Sequence, residues 1–170
     1  MMKTPQPLEI EKKYLIAYPD ISVLEAQPDY DRTQIIQTYI KGTLDGARGR
    51  VRKRGKNGAF TYTRTYKRDV TGMTRIEIED EITEQEYNEL LTQKNDNCRT
   101  IEKERIVFTY GGRLFEVDLY PFWDDKAVME VELESENAEF TLPPFITVIK
   151  DVTEIPAFRN SAIAEYGPPI

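Results

Sequence analysis

Residues 101–120 read IEKERIVFTYGGRLFEVDLY, and this stretch decides the fold class of the chain. Two runs with strand-like composition, 101–110 and 113–120, flank the pair Gly111-Gly112. A glycine pair between two such runs is typical of a tight turn, because glycine readily adopts the positive φ angles that hairpin turns require. The stretch therefore predicts an antiparallel β-hairpin.

Strand signals continue on both sides of this hairpin. Apolar and polar residues alternate with the period of two that half-buried strands show. The further predicted strands cover residues 9–16, 35–40, 48–54, 59–67, 75–82 and 127–134. A turn from Gly55 to Gly58 joins the third and fourth predicted strands into a second hairpin.

Helix signals are fewer than strand signals. Thr83-Glu84-Gln85-Glu86 is a capping box, and it predicts a helix with Tyr87, Leu90 and Leu91 on one face. Further short helices are predicted at residues 20–26, 135–140 and 157–165. About eight strands with a few helices packed outside favour a mainly β (α+β) fold, a closed or nearly closed antiparallel barrel. The 170 residues are expected to form a single domain.

The composition excludes several classes of function. A net charge of −7 makes the chain a poor non-specific binder of nucleic acids and anionic membranes. The absence of histidine removes Ser-His and Cys-His nucleophiles and the commonest ligand of catalytic zinc. The single Cys98, the lack of a signal peptide and the lack of any long apolar run predict a cytoplasmic protein. Hard oxygen ligands favour Mg²⁺ or Mn²⁺ as a bound ion.

The charges are sorted by strand. Arg50, Arg52 and Arg54 share one face of one predicted strand, whereas Glu130, Glu132 and Glu134 share one face of another. A sandwich with solvated outer faces would explain simple alternation. Blocks of like charge repel one another, however, and are better explained if an anion and cations lie between the strands. A polar barrel interior that encloses a ligand would hold such faces.

The residues Glu9-Ile10-Glu11-Lys12-Lys13 form the ExExK signature, and with it the chain resembles the CYTH superfamily of triphosphate tunnel metalloenzymes. Further matching segments follow in the expected order and extend the resemblance over roughly residues 8–165, as the core of the domain. They are Gln37-Thr38-Tyr39-Ile40, Arg50-Val51-Arg52, Thr65-Tyr66-Lys67, Arg75-Ile76-Glu77-Ile78-Glu79, Lys103-Glu104-Arg105, Phe115-Glu116-Val117-Asp118, Glu130-Val131-Glu132 and Val152-Thr153 up to Asn160. The chain looks most similar to the short bacterial inorganic tripolyphosphatase group.

The resemblance implies an eight-stranded antiparallel barrel whose charged tunnel binds and hydrolyses tripolyphosphate with Mg²⁺ or Mn²⁺. It implies metal ligands at Glu9, Glu11, Glu130, Glu132 and Asp118. It implies phosphate-binding residues at Lys13, Arg50, Arg52, Lys67, Arg75, Lys103 and Arg105. The catalytic set that it implies is Glu77, Glu79, Asp118, Lys13 and Tyr39, where the carboxylates serve a second metal or position the water and Tyr39 contacts a metal-bound water or the terminal phosphate. The alternative role for each glutamate pair is a cross-strand salt bridge to a facing arginine.

Several charged residues fall outside this set. Arg54, Glu116 and Glu134 share the parity of the motif residues, and we expect them at the solvated barrel rim. Arg64 has the opposite parity to Lys67 and should point outward. In the tail, Asn160 is expected to anchor the last helix against the barrel.

Three other functions compete with tripolyphosphate hydrolysis. Thiamine triphosphatase activity would change only the leaving group. Class IV adenylyl cyclases typically carry a His-Phe element before the ExExK strand, whereas this chain has Pro5-Gln6-Pro7-Leu8 there. A non-catalytic polyphosphate or nucleotide sensor would not need both carboxylate sets. The expected partner is a small anionic substrate, with neither nucleic acid nor membrane, and a homodimer stays open.

Overall fold

Nine antiparallel strands account for about half of the residues that the computed structural model describes, which are 8–41 and 48–170. The strands are β1 (Leu8–Ala17), β2 (Asp31–Ile40), β3 (Arg48–Lys56), β4 (Ala59–Asp69), β5 (Thr74–Ile82), β6 (Ile101–Tyr110), β7 (Arg113–Leu119), β8 (Lys126–Glu132) and β9 (Val148–Asp151). The helices are α1 (Ile21–Glu25), α2 (Glu84–Leu91) and α3 (Asn160–Tyr166), with a 3₁₀ turn at Pro156–Phe158. No helix in these ranges is long and apolar enough to cross a membrane.

Eight of the strands close into a barrel. Their order is β5-β4-β3-β2-β6-β7-β8-β1, and β1 returns to β5 through the pairs Leu8↔Ile76, Glu9↔Arg75 and Ile10↔Thr74. The ninth strand, β9, pairs with residues 14–16 of β1. Because β8 already occupies the other edge of β1, β9 extends the edge that β5 begins. The predicted eight-stranded antiparallel barrel is confirmed, with one strand more than the sequence predicted.

The two hairpins turn where the backbone needs positive φ angles. Gly111 and Gly112 have φ angles of 58° and 77°, as the diglycine predicted. The other hairpin turns at Asn57 and Gly58, with φ angles of 54° and 79°, so β3 continues through Gly55 instead of ending there. A side chain at Gly55 would meet the carbonyl oxygen of Ala59 at 2.0 Å, which explains why glycine is needed inside this strand.

Apolar residues cover both the outside of the barrel and one of its ends. Ile16, Phe115 and Met129 belong to an outer cluster under α1 and the chain segment before β9. A second cluster fills one end of the barrel, where Leu15 and Val128 face inward and contact residues of the chain after β9. We call residues 152–166 the C-terminal segment and this end of the barrel the covered end.

Two helix predictions differ from the structure. Residues 135–140 form turns and not a helix, because packing of Ala138 and Phe140 on the outer cluster overrides the weak helix propensity of so short a segment. The helix predicted at 157–165 is divided at Arg159, whose extended backbone separates the 3₁₀ turn from α3. The capping box at Thr83 and the short helix within 20–26 are confirmed.

Candidate active site

A cavity of about 250 Å³ lies inside the barrel, and its lining is almost entirely charged. Of the residues that the structure describes, seven carboxylates and eight basic side chains face it, so this part of the lining carries nearly balanced charge. The lining residues are Glu9, Glu11, Lys13, Tyr39, Arg50, Arg52, Arg54, Lys67, Arg75, Glu77, Glu79, Arg105, Glu116, Glu130, Glu132, Arg159, Asn160 and Ser161. Glu79 and Glu132 are exposed to solvent, and we call the end of the barrel where they lie the exposed end.

Strand parity explains why these side chains converge. Successive side chains of a strand point to opposite faces, so every second residue of β1, β3, β5 and β8 faces the barrel interior. The structure brings most of the predicted site residues together in the cavity lining. They are Glu9, Glu11, Lys13, Tyr39, Arg50, Arg52, Lys67, Arg75, Glu77, Glu79, Arg105, Glu130 and Glu132.

Two residues that we expected at the solvated rim lie in the cavity. Arg54 is half-buried and donates through Nε to the hydroxyl of Thr33 at 2.9 Å. Glu116 forms an ion pair with Arg105 at 2.7 Å, and this pair holds its carboxylate beside the basic residues of the cavity. The parity of both residues indicated this position, but parity does not give the height of a residue along the barrel axis. Glu134 is outside the lining and pairs with Arg113, as expected of a rim residue.

Asp118 and Lys103 lie behind the cavity wall and not in its lining. Lys103 Nζ is 2.7 Å from Asp118 Oδ2, and Arg105 donates to both oxygens of the same carboxylate at 2.8 and 3.0 Å. Burial by itself would raise the pKa of Asp118, but Arg105 and Lys103 hold that pKa far below its usual range. With both oxygens engaged by cations, Asp118 orients Arg105 toward the cavity in this structure. Asp118 therefore does not lie where we expected a metal ligand, in the cavity lining. Lys103 does not lie where we expected a phosphate ligand, in the same lining.

Three of the four glutamates on β1 and β8 form ion pairs with basic side chains in the protein without a ligand. Lys67 Nζ lies 3.4 Å from Glu9, Arg75 Nη1 lies 2.9 Å from Glu11, and Lys13 Nζ lies 3.3 Å from Glu130. The pair of Glu11 with Arg75 is the cross-strand salt bridge to an arginine that we gave as the alternative, whereas the other two pairs use lysines. They do not exclude a ligand role, because a metal ion and an anion can exchange partners with such pairs.

Glu132 is the one glutamate of β1 and β8 that forms no ion pair among the described residues, although Lys67 is near enough to oppose the rise of its pKa. Burial and the neighbouring carboxylates of Glu9, Glu116 and Glu11 raise its pKa above the usual value of a glutamate. A cation would relieve this mutual repulsion, since opposite charge favours the ionised form. The donor set, oxygen atoms without histidine or thiolate, suits Mg²⁺ or Mn²⁺. Within residues 8–41 and 48–170, however, no three acidic groups already form a compact metal site. The carboxylates would have to move together around an ion.

The arginines on β3 form the opposite side of the cavity. Burial, together with repulsion from Arg50 and Arg105, lowers the pKa of Arg52 to about 9. Burial and Arg50 likewise lower the pKa of Lys67 to about 8, despite its pairing with Glu9. Cations crowded in this way would be stabilised by an anion between them. The chemistry of guanidinium groups, which donate two parallel hydrogen bonds, fits phosphate oxygens.

Buried donors in the same cluster have no partner in the described residues. The Nε atoms of Arg50 and Arg52 and the amide nitrogen of Gln37 are buried without a hydrogen bond. A buried donor without a partner costs about 1–3 kcal/mol, so a ligand that accepts from it gains free energy. Arg64 also has a partnerless Nε, although it points outward and pairs with Asp80 as its parity predicted. The crowding of cations, and not the partnerless atoms alone, therefore marks an anion site.

The C-terminal segment contributes three residues to the lining that the sequence did not assign to the site. Arg159, Asn160 and Ser161 lie at the covered end. Asn160 accepts a hydrogen bond of 2.5 Å from the hydroxyl of Tyr120, which confirms its expected anchoring role. Lys13 Nζ approaches the carbonyl oxygen of Phe158 at 3.5 Å. The basic Arg159 beside Asn160 was a usable signal, but no local pattern placed this segment against the barrel end.

Comparison with known proteins agrees with this arrangement. The sequence matches the CYTH domain family over residues 7–158. A curated relative, the inorganic triphosphatase of Acetivibrio thermocellus, is 32% identical over 158 residues, which cover 92% of this chain and 93% of the relative. The crystal structure of the inorganic triphosphatase NE1496 is 28% identical and covers 98% of both chains, with a TM-score of 0.59. A Pyrococcus horikoshii protein, at 21% identity and a TM-score of 0.54, covers 75% of this chain and 80% of its own and shares the fold.

Proposed function

Because this chain belongs to the CYTH domain family, we propose that it hydrolyses inorganic triphosphate inside its barrel with the help of a divalent metal ion. Relatives named inorganic triphosphatases support the reaction, at 32% and 28% identity over nearly the whole chain. The observation that carries the proposal is the enclosed cavity, in which buried, crowded arginines on β3 face carboxylates on β1 and β8. A phosphate chain alone would need only the arginines, and a metal ion alone would need only the carboxylates. A phosphate chain that carries a metal ion needs both groups.

The basic residues would hold the phosphate chain. Arg50, Arg52 and Arg54 project side by side from β3, and their forked donors can each contact two phosphate oxygens. Arg105 is fixed by Asp118 and needs no reorganisation when the substrate enters. Donors that are fixed before the reaction stabilise the charge that develops on the phosphoanhydride oxygen as its bond to phosphorus breaks.

The acidic residues would hold the metal ion and orient the water. Glu9, Glu11, Glu130 and Glu132 supply oxygen ligands, for which Mg²⁺ or Mn²⁺ are the suitable ions. A divalent ion bound there would neutralise phosphate charge and lower the pKa of a coordinated water. Glu77 and Glu79 on β5 face the same space, and a carboxylate there can accept a hydrogen bond from the attacking water and align it with the scissile bond.

The charge of the lining supports the proposed role of metal ions. Eight basic side chains against seven carboxylates leave the described lining nearly neutral, so it would compensate only part of the charge of a bound polyanion. Divalent cations would supply the missing positive charge. We propose the cytoplasm as the location, where the free Cys98 would stay reduced.

A substrate panel tests the proposal. Tripolyphosphate, thiamine triphosphate, ATP and long-chain polyphosphate are incubated with Mg²⁺ or Mn²⁺, and released orthophosphate is measured with and without EDTA. We expect tripolyphosphate to be the best substrate and EDTA to abolish release. Preference for thiamine triphosphate, or formation of cyclic AMP from ATP, would replace the proposed substrate with one of the competing ones. Full activity in EDTA would contradict the metal requirement.

A matched pair of variants tests the metal ligands. Glu132→Gln keeps the size of the side chain but removes a carboxylate that no described cation pairs with, and we expect turnover to fall on the order of 100-fold or more. Glu134→Gln, two residues further on and outside the cavity, should retain activity because its carboxylate only pairs with Arg113. Equal activity of the two variants would show that Glu132 has no part in the reaction.

A further inference from the structure

Among the described residues, Arg159 is the one basic residue of the cavity lining that comes from outside the strands. Resting on the proposed function, we propose that Arg159 is a substrate-binding residue, which contacts the phosphate chain at the covered end of the cavity. The C-terminal segment would then be part of the binding site and not only a cover. The roles assigned above to Arg50, Arg52 and Arg105 leave this arginine unused.

The side chain of Arg159 is held in position before any ligand enters. Its Nη1 donates to Asp69 Oδ2 at 2.7 Å, and Asp69 Oδ1 accepts from Arg75 Nε at 3.3 Å. Arg75 in turn pairs with Glu11. This chain of ion pairs connects the C-terminal segment to a carboxylate of the proposed metal site. Because the orientation of Arg159 is fixed in advance, little conformational entropy would be lost when it binds an anion.

The backbone on both sides of Arg159 is also fixed. Phe158 and Ile163 are buried in the apolar cluster that fills the covered end. On the preceding side, the amide of Val152 donates to the carbonyl of Lys13 at 2.9 Å, and the amide of Lys13 donates to the hydroxyl of Thr153 at 3.0 Å. The backbone that carries Arg159 is therefore held in place on both sides, as the backbone of a strand arginine is.

A structural role alone does not account for the whole guanidinium group. The contact with Asp69 uses Nη1, whereas Nε is buried without a partner in the described residues. Only 19% of the side chain is exposed, and the residue faces the cavity beside Asn160 and Ser161. The planar guanidinium therefore has N–H groups that Asp69 does not use. Its other edge can bind a second anion in the bidentate geometry that is typical of phosphate.

Three variants distinguish a role of Arg159 in substrate binding from a purely structural ion pair with Asp69, which we call the latch. Arg159→Gln removes the charge, Asp69→Asn removes the latch but keeps the arginine, and Arg113→Gln removes an arginine that pairs with Glu134 outside the cavity. The KM for tripolyphosphate is measured with Mg²⁺, and the Kd is measured by calorimetry in a chelator. Thermal melts establish that each variant is folded.

We expect Arg159→Gln to raise both constants about tenfold, the size of one charge-assisted hydrogen bond. Asp69→Asn should raise them less than about threefold and Arg113→Gln should leave them unchanged, since neither removes a ligand of the substrate. Equal losses in Arg159→Gln and Asp69→Asn, or no loss in Arg159→Gln, would overturn the inference. If the wild-type protein hydrolysed no tripolyphosphate, the proposed function would fail instead, and the calorimetric comparison of wild type with Arg159→Gln would still decide the role of Arg159 in anion binding.

Discussion

At the scale of single residues, Arg52 shows how the barrel tolerates buried cations. Its Nη2 donates to Gln37 at 3.1 Å, its Nε has no partner in the described residues, and its pKa is lowered to about 9 by burial and by Arg50 and Arg105. Keeping such a group charged costs free energy in the protein alone. An anionic ligand would return that free energy on binding, which makes Arg52 a sensitive position for substrate affinity.

Arg52→Ala is therefore expected to weaken substrate binding much more than Arg64→Ala. Arg52 lines the cavity, whereas Arg64 lies on the other face of the same barrel wall and pairs with Asp80. We expect the KM for tripolyphosphate to rise about tenfold or more in Arg52→Ala and to stay within about twofold in Arg64→Ala. Initial rates over a range of substrate concentrations measure both. The reverse order would mean that the inner and outer faces of β3 and β4 are wrongly assigned.

Asp118 is expected to matter for stability as well as for activity. Asp118→Asn leaves Lys103 and Arg105 buried without their carboxylate, and breaking a buried pair of this kind costs about 3–5 kcal/mol. Urea unfolding at pH 7 measures the loss. The surface variant Glu104→Gln is the control, because the exposed pair of Glu104 with Arg32 should contribute at most about 1 kcal/mol.

The same variant has a defined dependence on pH. Burial raises the pKa of Asp118, yet Arg105 and Lys103 more than offset this, so its folded pKa lies below the unfolded value of about 3.9. A depressed carboxyl pKa gives stability that is present above the unfolded pKa and is lost as the pH falls toward the folded one. The stability difference between wild type and Asp118→Asn should therefore narrow below about pH 4. A difference that is constant from pH 7 to pH 3 would contradict the ion-pair explanation.

At the scale of elements, α2 offers a test that leaves the active site untouched. The Thr83 hydroxyl accepts a hydrogen bond from the amide of Glu86 at 3.1 Å, and the amide of Thr83 donates to the Glu86 carboxylate at 3.3 Å. Tyr87 packs this helix on a separate cluster with Val51 and Ile82. Thr83→Ala should lower the free energy of unfolding by about 0.5–2 kcal/mol, as loss of a helix cap does.

Thr83→Ser is the matched control, since serine keeps the hydroxyl that caps the helix. We expect its unfolding midpoint in urea to stay near that of the wild type, while both variants hydrolyse tripolyphosphate at the wild-type rate. A large loss of activity in Thr83→Ala would mean that α2 affects the shape of the cavity.

At the scale of the whole molecule, the charge balance of the cavity differs from that of the chain. The chain has a net charge of −7, whereas the cavity lining is nearly balanced, with basic side chains crowded on one wall. Ligand binding should therefore stabilise the fold by relieving repulsion inside the barrel. A ligand at about 100 times its Kd stabilises the native state by about 2.7 kcal/mol, which is about 5–10 °C in Tm for a chain of this size.

Thermal melts with tripolyphosphate in EDTA measure this shift without turnover. Arg52→Ala at the same ligand concentration should show a smaller shift, because its affinity is lower. Added monovalent salt should reduce the shift in the wild type, since it screens the attraction between the ligand and the cavity. An equal shift in the wild type and Arg52→Ala would contradict binding of the ligand at the arginines of β3.

The sequence by itself determined which faces of the strands are charged, and hence most of the site. Alternation with period two is a local property, so Glu9 and Glu11, or Arg50 and Arg52, were bound to share a face. The diglycine at 111–112 fixed a hairpin for the same local reason. The resemblance to the CYTH family added the prediction that the strands close into a barrel. In a closed barrel, the charged faces of all the strands surround one interior.

Only the tertiary structure decided the position of each residue along the barrel axis. Strand register and barrel stagger set that height, and neither is encoded in the local pattern. For this reason Arg54 and Glu116 lie in the cavity and not at the rim, while Asp118 lies behind the wall, held by Lys103 and Arg105. The placement of Arg159 depends on contacts more than 80 residues apart in sequence, because its partner Asp69 ends β4, and long-range packing alone brings these two residues together.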